Sequence, residues 1–393
     1  MNPIARYLPG IDEYVSLQDV PAARRLFLVG TGLLLIASDF LPNVGLDAQP
    51  WSLGIELVLG VGALVIALAD RLDAERRTEW RNRMVAVAIS VVLAGAAAEA
   101  ATRWVFRDVT TSADSGAFFS RDWARGNIVL NEYGFRERSF ATVKPTGIYR
   151  IAVIGDSFTF GNGLLPAERY SDRLDAWLPD RFEVLNFGTP GDNTPHHLDA
   201  LRASVLQTHP DFVLLQWFVN DIEGNDLTRR PVASNLVPFT SIHRWLNGHS
   251  AFYAVGNLRW RELQVALGVS PNFTDYLRTR AGDAGSDDAR REAATLRRII
   301  ETSRLAGAEV GIVLFPDAGY DLGAAYPFAF LHERTLAVCR EMAVPCLDLR
   351  ESFAKLHNRR SLWVSPFDHH PSARANDIAA ADILRVFQPF WAH

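Results

Sequence analysis

The sequence predicts a two-part protein: an α/β domain on a parallel sheet, preceded by an N-terminal region of three transmembrane helices. Three observations predict this. Apolar residues gather in three long runs within the first quarter of the 393-residue chain. From about residue 148, short apolar segments alternate with amphipathic ones. Those short segments are continuously apolar rather than alternating, as strands covered by helices on both faces are.

The runs are Leu26–Leu41, Trp51–Ala69 and Met84–Ala98, the last extending weakly to Phe106. A span needs about 20 apolar residues; the second run has that length, and the others reach it with their flanks. About 25 mostly polar residues precede the first run and no small-x-small site follows it, so a cleaved signal peptide is not expected. Arginine placement sets the orientation. Arg24 and Arg25 precede the first run, the gap 42–50 carries no Lys or Arg, and the next gap holds Arg71, Arg76, Arg77, Arg81 and Arg83. Residues 1–25 are therefore expected in the cytoplasm, 26–106 in the inner (cytoplasmic) membrane, and everything beyond on the periplasmic or exterior side. Asp39, Glu56 and Glu99 then fall toward the outer face, where a charge costs less than at the midplane. They are either interfacial or share a polar cluster between the helices.

Composition removes several classes. With 48% hydrophobic and 22% charged residues, the chain is neither disordered nor a coiled coil. A net charge of −5 leaves no basic excess for a phosphate backbone, so no nucleic-acid partner is expected. The basic residues are almost all arginine and, outside the one short loop, dispersed. Two cysteines, Cys339 and Cys346, exclude a disulfide scaffold and a Cys-built zinc site. Outside the cytoplasm those two are able to pair with each other.

Residues 107–147 read as a polar connector, and 148–393 as the α/β domain. Expected strands are Tyr149–Ile154, Phe182–Phe187, Asp211–Phe218, Glu309–Phe315 and Pro345–Leu349. Expected helices are Pro166–Leu178, Pro195–Leu206, Asp287–Leu305, His332–Met342 and Ser372–Phe387. Residues 222–285 are an insertion after the third strand. Its Phe239, Ile242, Trp245, Leu246, Phe252, Tyr253, Trp260 and Leu263 suit either a lid or acyl-binding wall, or ordinary packing of helices on the domain.

Parallel α/β domains bind ligands beyond the carboxyl ends of their strands. Polar clusters fall there: Gly155-Asp-Ser157-Phe158 after the first strand, Asn186-Phe-Gly188-Thr-Pro-Gly191-Asp192 after the second, and Val219-Asn220-Asp221 after the third. Asp368-His369-His370-Pro371-Ser372 precedes the last helix. These types suit acyl transfer. A serine needs a base to take its proton, a histidine needs a carboxylate to fix its tautomer, and the tetrahedral oxyanion needs aimed donors. Asp156 and Asp221 are expected to hold loops in shape. His196 and His197, opening a helix, are expected to face solvent. The adjacent histidines diverge too far to chelate, and no metal or other cofactor is expected. The glycine-rich GDSFTFGNG stretch lacks the Lys of a P-loop and the spacing of a dinucleotide site, and no G-x-S-x-G elbow is present.

The segments GDSFTFG (155–161), NFGTPGDNT (186–194), VND (219–221) and DHHPS (368–372), in this order, resemble the SGNH/GDSL hydrolase superfamily. The resemblance covers about residues 149–390. It implies a three-layer α/β/α fold with Ser157 as nucleophile, His370 as base and Asp368 as its orienting partner. It implies an oxyanion hole from the Ser157 N–H, the Gly191 N–H and the Asn220 side chain, with Gly188 as a rival to Gly191. The Asp-to-His spacing leaves His369 as a rival to His370, which Pro371 favours. Asn131-Glu-Tyr-Gly-Phe-Arg136 resembles a segment preceding this block in membrane-linked members, where it either contacts substrate or docks the connector. The expected activity is a membrane-anchored carboxylic ester hydrolase, outside the membrane, removing short acyl or acetyl groups from an acylated envelope carbohydrate or lipid. The alternatives are an O-acyltransferase using the same triad, which needs a membrane partner to supply the acyl donor, and a non-catalytic envelope binding or assembly module.

Overall fold

A computed structural model describes residues 74–109, 117–223, 240–269 and 273–391, together with Val29. The first two apolar runs, and with them the expectation of three spans, lie outside the described residues. The third forms helix α1, Ala74–Val105, of which Thr78–Val105 is long and apolar enough to cross a membrane. It is the single such helix among the described residues. From Ala74, its first described residue, it is already helical ten residues before the apolar run, since Ala, Glu and Arg are good helix formers and no breaker intervenes.

The chain divides into two compact units, one within Met1–Arg107 and Asn235–Gly256, the other within Asp108–Ser234 and Asn257–His393. In the first unit, Glu99 of α1 does not stand alone; Asp39 and Glu56, the other acids of the apolar runs, lie outside the described residues. The Glu99 carboxylate accepts from the N–H groups of Ala251 and Phe252 at 3.0 Å each and from the Ser250 hydroxyl at 2.7 Å. It also pairs with Arg103. Those donors open a helix of the insertion, so Glu99 supplies the negative charge that a helix N-terminus favours. The insertion comprises helices Thr240–His249, Ala251–Ala266 and Phe273–Ala281; its Phe239 lies outside the described residues. Trp245, Phe252, Trp260 and Leu263 are exposed rather than packed into a core.

The second unit is a three-layer α/β/α domain. Five parallel strands, β1 Tyr149–Gly155, β2 Phe182–Gly188, β3 Phe212–Trp217, β4 Glu309–Leu314 and β5 Cys346–Asp348, lie in the order β2-β1-β3-β4-β5. All six residues of β3 are buried, as its unbroken apolar run implies. Helices Tyr170–Trp177 and Ala373–Phe387 pack together on one side of the sheet; Thr194–Ala200, Asp287–Leu305 and Ala329–Met342 form the other layer. Gly311 gives up its side chain to this packing, since a Cβ there would meet the Phe387 ring at 2.4 Å.

Among the elements not expected from the sequence, two stand out. Within the connector, Phe118–Asn127 is helical, with Phe119 and Trp123 buried. Before the last helix, strands β6 Trp363–Ser365 and β7 Asp368–Pro371 form an antiparallel pair.

Cys339, on helix Ala329–Met342, and Cys346, on β5, are joined by a disulfide with Cα atoms 6.3 Å apart. Closing so short a loop stabilises by about 2–3 kcal/mol in the chain-entropy account. Denatured, unreduced protein is expected to present no free thiol to a labelling reagent, and Cys346→Ala to unfold about 2 kcal/mol more easily. Two reactive thiols in the unreduced protein would contradict the pairing.

Candidate active site

The sheet sets up the site. The chain leaves β1 toward β2 and then crosses back over β1 to β3, so the connections after β1 and β3 pass to opposite faces of the sheet and part between the ends of those two strands. This is the crevice where open α/β sheets bind their ligands. Gly155 ends β1 opposite Gly188 of β2. A Cβ on Gly155 would fall 2.1 Å from Thr159 Oγ1 and 2.3 Å from Gln216 Oε1, so only glycine fits this turn. Asp156 follows as the N-cap of a short helix, Ser157–Phe160: its carboxylate accepts from the Phe158 N–H at 2.9 Å. Ser157 is thus the first residue of the helix and not its cap, and its hydroxyl stays available. The Asp156 N–H donates to Gln216 Oε1 at 3.0 Å, fixing the turn to β3. Burial and then the neighbouring Asp221 charge push the Asp156 carboxyl up to about 6.

The β6–β7 pair delivers the histidine. His370 Nε2 stands 2.9 Å from Ser157 Oγ, and its Nδ1 is hydrogen-bonded to Asp368 Oδ1. The same carboxylate oxygen accepts the His370 N–H at 3.0 Å, so the Asp is locked against its partner's backbone as well as its ring. This places the imidazole proton on Nδ1 and leaves Nε2 to accept from the serine. Burial pulls the His370 pKa down, but the charge of Asp368 and the hydrogen bond to it outweigh burial, and the pKa ends above its ordinary value. His369, the rival, points elsewhere: its ring packs on Trp363 with centroids 4.3 Å apart and against Gly319, where a Cβ would meet its Nδ1 at 2.3 Å.

The candidate oxyanion donors lie at the ends of three adjacent strands, β2, β1 and β3. Gly191 has a φ of +85° and open space at its Cβ position. Its N–H makes no hydrogen bond among the described residues. Gly188 is different: its N–H donates to Asn186 Oδ1 at 2.9 Å, and a Cβ would fall 2.3 Å from Phe160 N. Gly188 therefore lets helix Ser157–Phe160 approach β2, while Gly191 keeps a donor to spare. Asn220 sits in a 3₁₀ turn, Val219–Ile222, directly after β3.

Some residues stand where the sequence reading did not put them. His197 is buried, with 1% of its side chain exposed, and its Nε2 lies 3.0 Å from Asp221 Oδ1. The signal was present: His197 shares a helical face with the apolar Leu198, Leu201 and Val205. Thr194 and Glu292, not singled out from the sequence, join the same cluster: the Thr194 hydroxyl lies 2.8 Å from Glu292 Oε1 and 3.3 Å from Asp221 Oδ1. Asp317, just past β4, lies against the His369 and Gly319 contact. Asp221 does hold its loop, accepting from the Phe218 N–H at 2.7 Å. Arg136 docks the connector: its guanidinium donates to the carbonyls of Phe160, Gly161 and Leu164 at 3.0, 2.9 and 2.6 Å, at the C-terminal end of helix Ser157–Phe160.

The chain matches the GDSL-like lipase/acylhydrolase family over residues 153–378, more than half its length. It belongs to this family and is an ester hydrolase of the SGNH/GDSL type. No curated protein matches it. Similar solved structures include TesA, at 16% identity over 61% of this chain and 98% of that one, with a TM-score of 0.38. A lipase/acylhydrolase from Enterococcus faecalis is 15% identical over 62% and 98%, TM-score 0.38. A catalytic mutant of Axe2, an acetylxylan esterase from Geobacillus stearothermophilus, is 15% identical over 60% and 93%, TM-score 0.38.

The two glycines give a packing test. Gly188→Ala is expected to cost about 1–3 kcal/mol by overpacking, and Gly191→Ala about 1–2 kcal/mol through its positive φ alone. Thermal unfolding should show the larger drop for Gly188→Ala; the reverse order would contradict the assignment of their roles.

Proposed function

We propose that the protein is a membrane-anchored serine esterase acting outside the cytoplasmic membrane, removing short acyl groups, acetyl above all, from an envelope glycan or lipid. The observation that carries this reading is the unbroken line from Asp368 through His370 to Ser157 Oγ. In the proposed reaction Ser157 Oγ attacks the ester carbonyl as His370 Nε2 takes its proton, and Asp368 steadies the resulting imidazolium. The oxyanion accepts hydrogen bonds from the Ser157 N–H, the Gly191 N–H and the Asn220 side chain. The sugar or lipid oxygen leaves with the proton from His370. Water, deprotonated by the same Nε2, then attacks the acyl-enzyme and frees Ser157.

Helix Thr78–Val105 supports membrane anchoring, with exposed apolar residues such as Val87, Val92 and Leu93 around it. The arginines of its first turns support a cytoplasmic start. The Cys339–Cys346 disulfide supports an oxidising compartment for the catalytic domain.

Full-length enzyme in detergent is expected to hydrolyse p-nitrophenyl acetate faster than longer-chain esters, and Ser157→Ala to lower kcat by about 10³-fold or more. Undiminished turnover in Ser157→Ala would sink the esterase reading, and preferential acyl transfer to added oligosaccharide over water would replace hydrolysis with transfer. A reporter fused after residue 106 should be active only outside the cytoplasm; cytoplasmic activity would reverse the topology.

The pH profile follows from His370. The base must be neutral, and its pKa lies above the ordinary value of about 6.5. Activity should therefore rise with pH through a midpoint above about 6.5 and be lost below it. Asp368→Asn removes the charge that holds this midpoint up. It should lower the midpoint and cut kcat by roughly 10³–10⁴-fold. A midpoint unmoved by Asp368→Asn would contradict the pairing.

A further inference from the structure

We propose that His197 is a positioning residue that ties the Gly191 loop to the Asn220 turn through Asp221, holding the two oxyanion donors in register. The inference rests on the esterase reading above. His197 lies on helix Thr194–Ala200, which starts three residues after Gly191 and is capped by the Asn193 side chain. Asp221 immediately follows Asn220 and closes its turn through the Phe218 N–H. The 3.0 Å approach of His197 Nε2 to Asp221 Oδ1 thus spans from one loop to the other. The approach to Asp221 is a contact at ion-pair distance: both ring nitrogens are buried, and neither makes a hydrogen bond with a described residue.

The contact is backed on both sides. The Thr194 hydroxyl stands 2.8 Å from Glu292 Oε1 and 3.3 Å from Asp221 Oδ1. Glu292 Oε1 also accepts from Trp217 Nε1 at 2.8 Å, and Trp217 is the last residue of β3. The helix after β2, the end of β3 and the Asn220 turn therefore meet helix Asp287–Leu305 at one buried cluster, to which the loop and the turn carry the candidate donors.

A network of this kind is a poor way to gain stability. Two carboxyl groups and an imidazole are withdrawn from water, and well-packed apolar residues in their place are often as stable or more so. What directional contacts supply is a fixed geometry. The groups facing His197 are Asp221 and, by their charge, Asp156 and Asp192. Burial holds His197 below its ordinary pKa and pushes Asp221 and Glu292 up.

The test compares His197→Gln, His197→Asn and His197→Leu in the full-length enzyme, using p-nitrophenyl acetate kinetics and thermal unfolding. Glutamine places an amide nitrogen near the position of Nε2; asparagine does not reach it, and leucine removes it. His197→Leu is expected to lower kcat about 10–100-fold with KM changed less than about twofold, a part of the roughly 10²–10³-fold cost of deleting an oxyanion donor. His197→Gln should recover most of kcat, whatever its melting temperature. Equal kcat in Leu and Gln variants, or wild-type kcat in both, would overturn the proposal. Should the Leu variant fail to fold, the Gln and Asn variants decide: Gln about tenfold faster supports the role, and equal rates overturn it. Wild-type enzyme without Ser157-dependent turnover would sink the esterase reading itself, whereas active wild type matched by its His197 variants would sink this inference alone.

Discussion

The parallel pairing of β1 with neighbours on both sides is the constraint from which the rest follows. Because β2 and β3 flank β1 and run the same way, their carboxyl ends open on one edge of the sheet. The chain reverses its direction of travel at β1, so the connections after β1 and β3 pass to opposite faces and leave a crevice beside Gly155. Ser157 enters that crevice on a helix held to its turn by the Asp156 cap, and Gly188 lets the helix sit close to β2. A short antiparallel pair then brings His370 within 2.9 Å of the serine from a point 213 residues further along the chain.

Much of this was legible because the site interrupts strong patterns. The apolar runs at Tyr149–Ile154 and Asp211–Phe218 stop at polar and glycine residues, and those stops mark the strand ends. Helix Asp287–Leu305 has the bounds its Ser286 cap and paired aspartates suggest. In the sequence, one proline and a resemblance were all that separated His370 from His369. Adjacent residues on a strand face opposite ways, so with the His370 ring against Ser157 the His369 ring turns to Trp363.

The rest was hidden for physical reasons. Strands β6 and β7, of three and four residues, are too short to show a period of two. His197 stands near a helix start, a place that reads as exposed, and its burial depends on what helix Asp287–Leu305 packs against. Arg136 and Glu99 act on partners far off in sequence, the carbonyls at the end of helix Ser157–Phe160 and the N-terminus of an insertion helix. Such contacts leave no local pattern. They also show how the domain tolerates buried charge: Arg150, with no exposed side-chain surface, pairs with Glu183 at 2.6 Å and donates to the carbonyls of Ala141 and Thr142. A buried charge held this way is compensated rather than stranded.

The most direct test of the central claim is to map, by peptide mass spectrometry, where a fluorophosphonate attaches to the full-length protein. Attack by an activated serine predicts a single adduct on Ser157 that forms far more slowly when His370 is replaced by Ala. An adduct on another residue, or labelling at an unchanged rate in His370→Ala, would contradict the account.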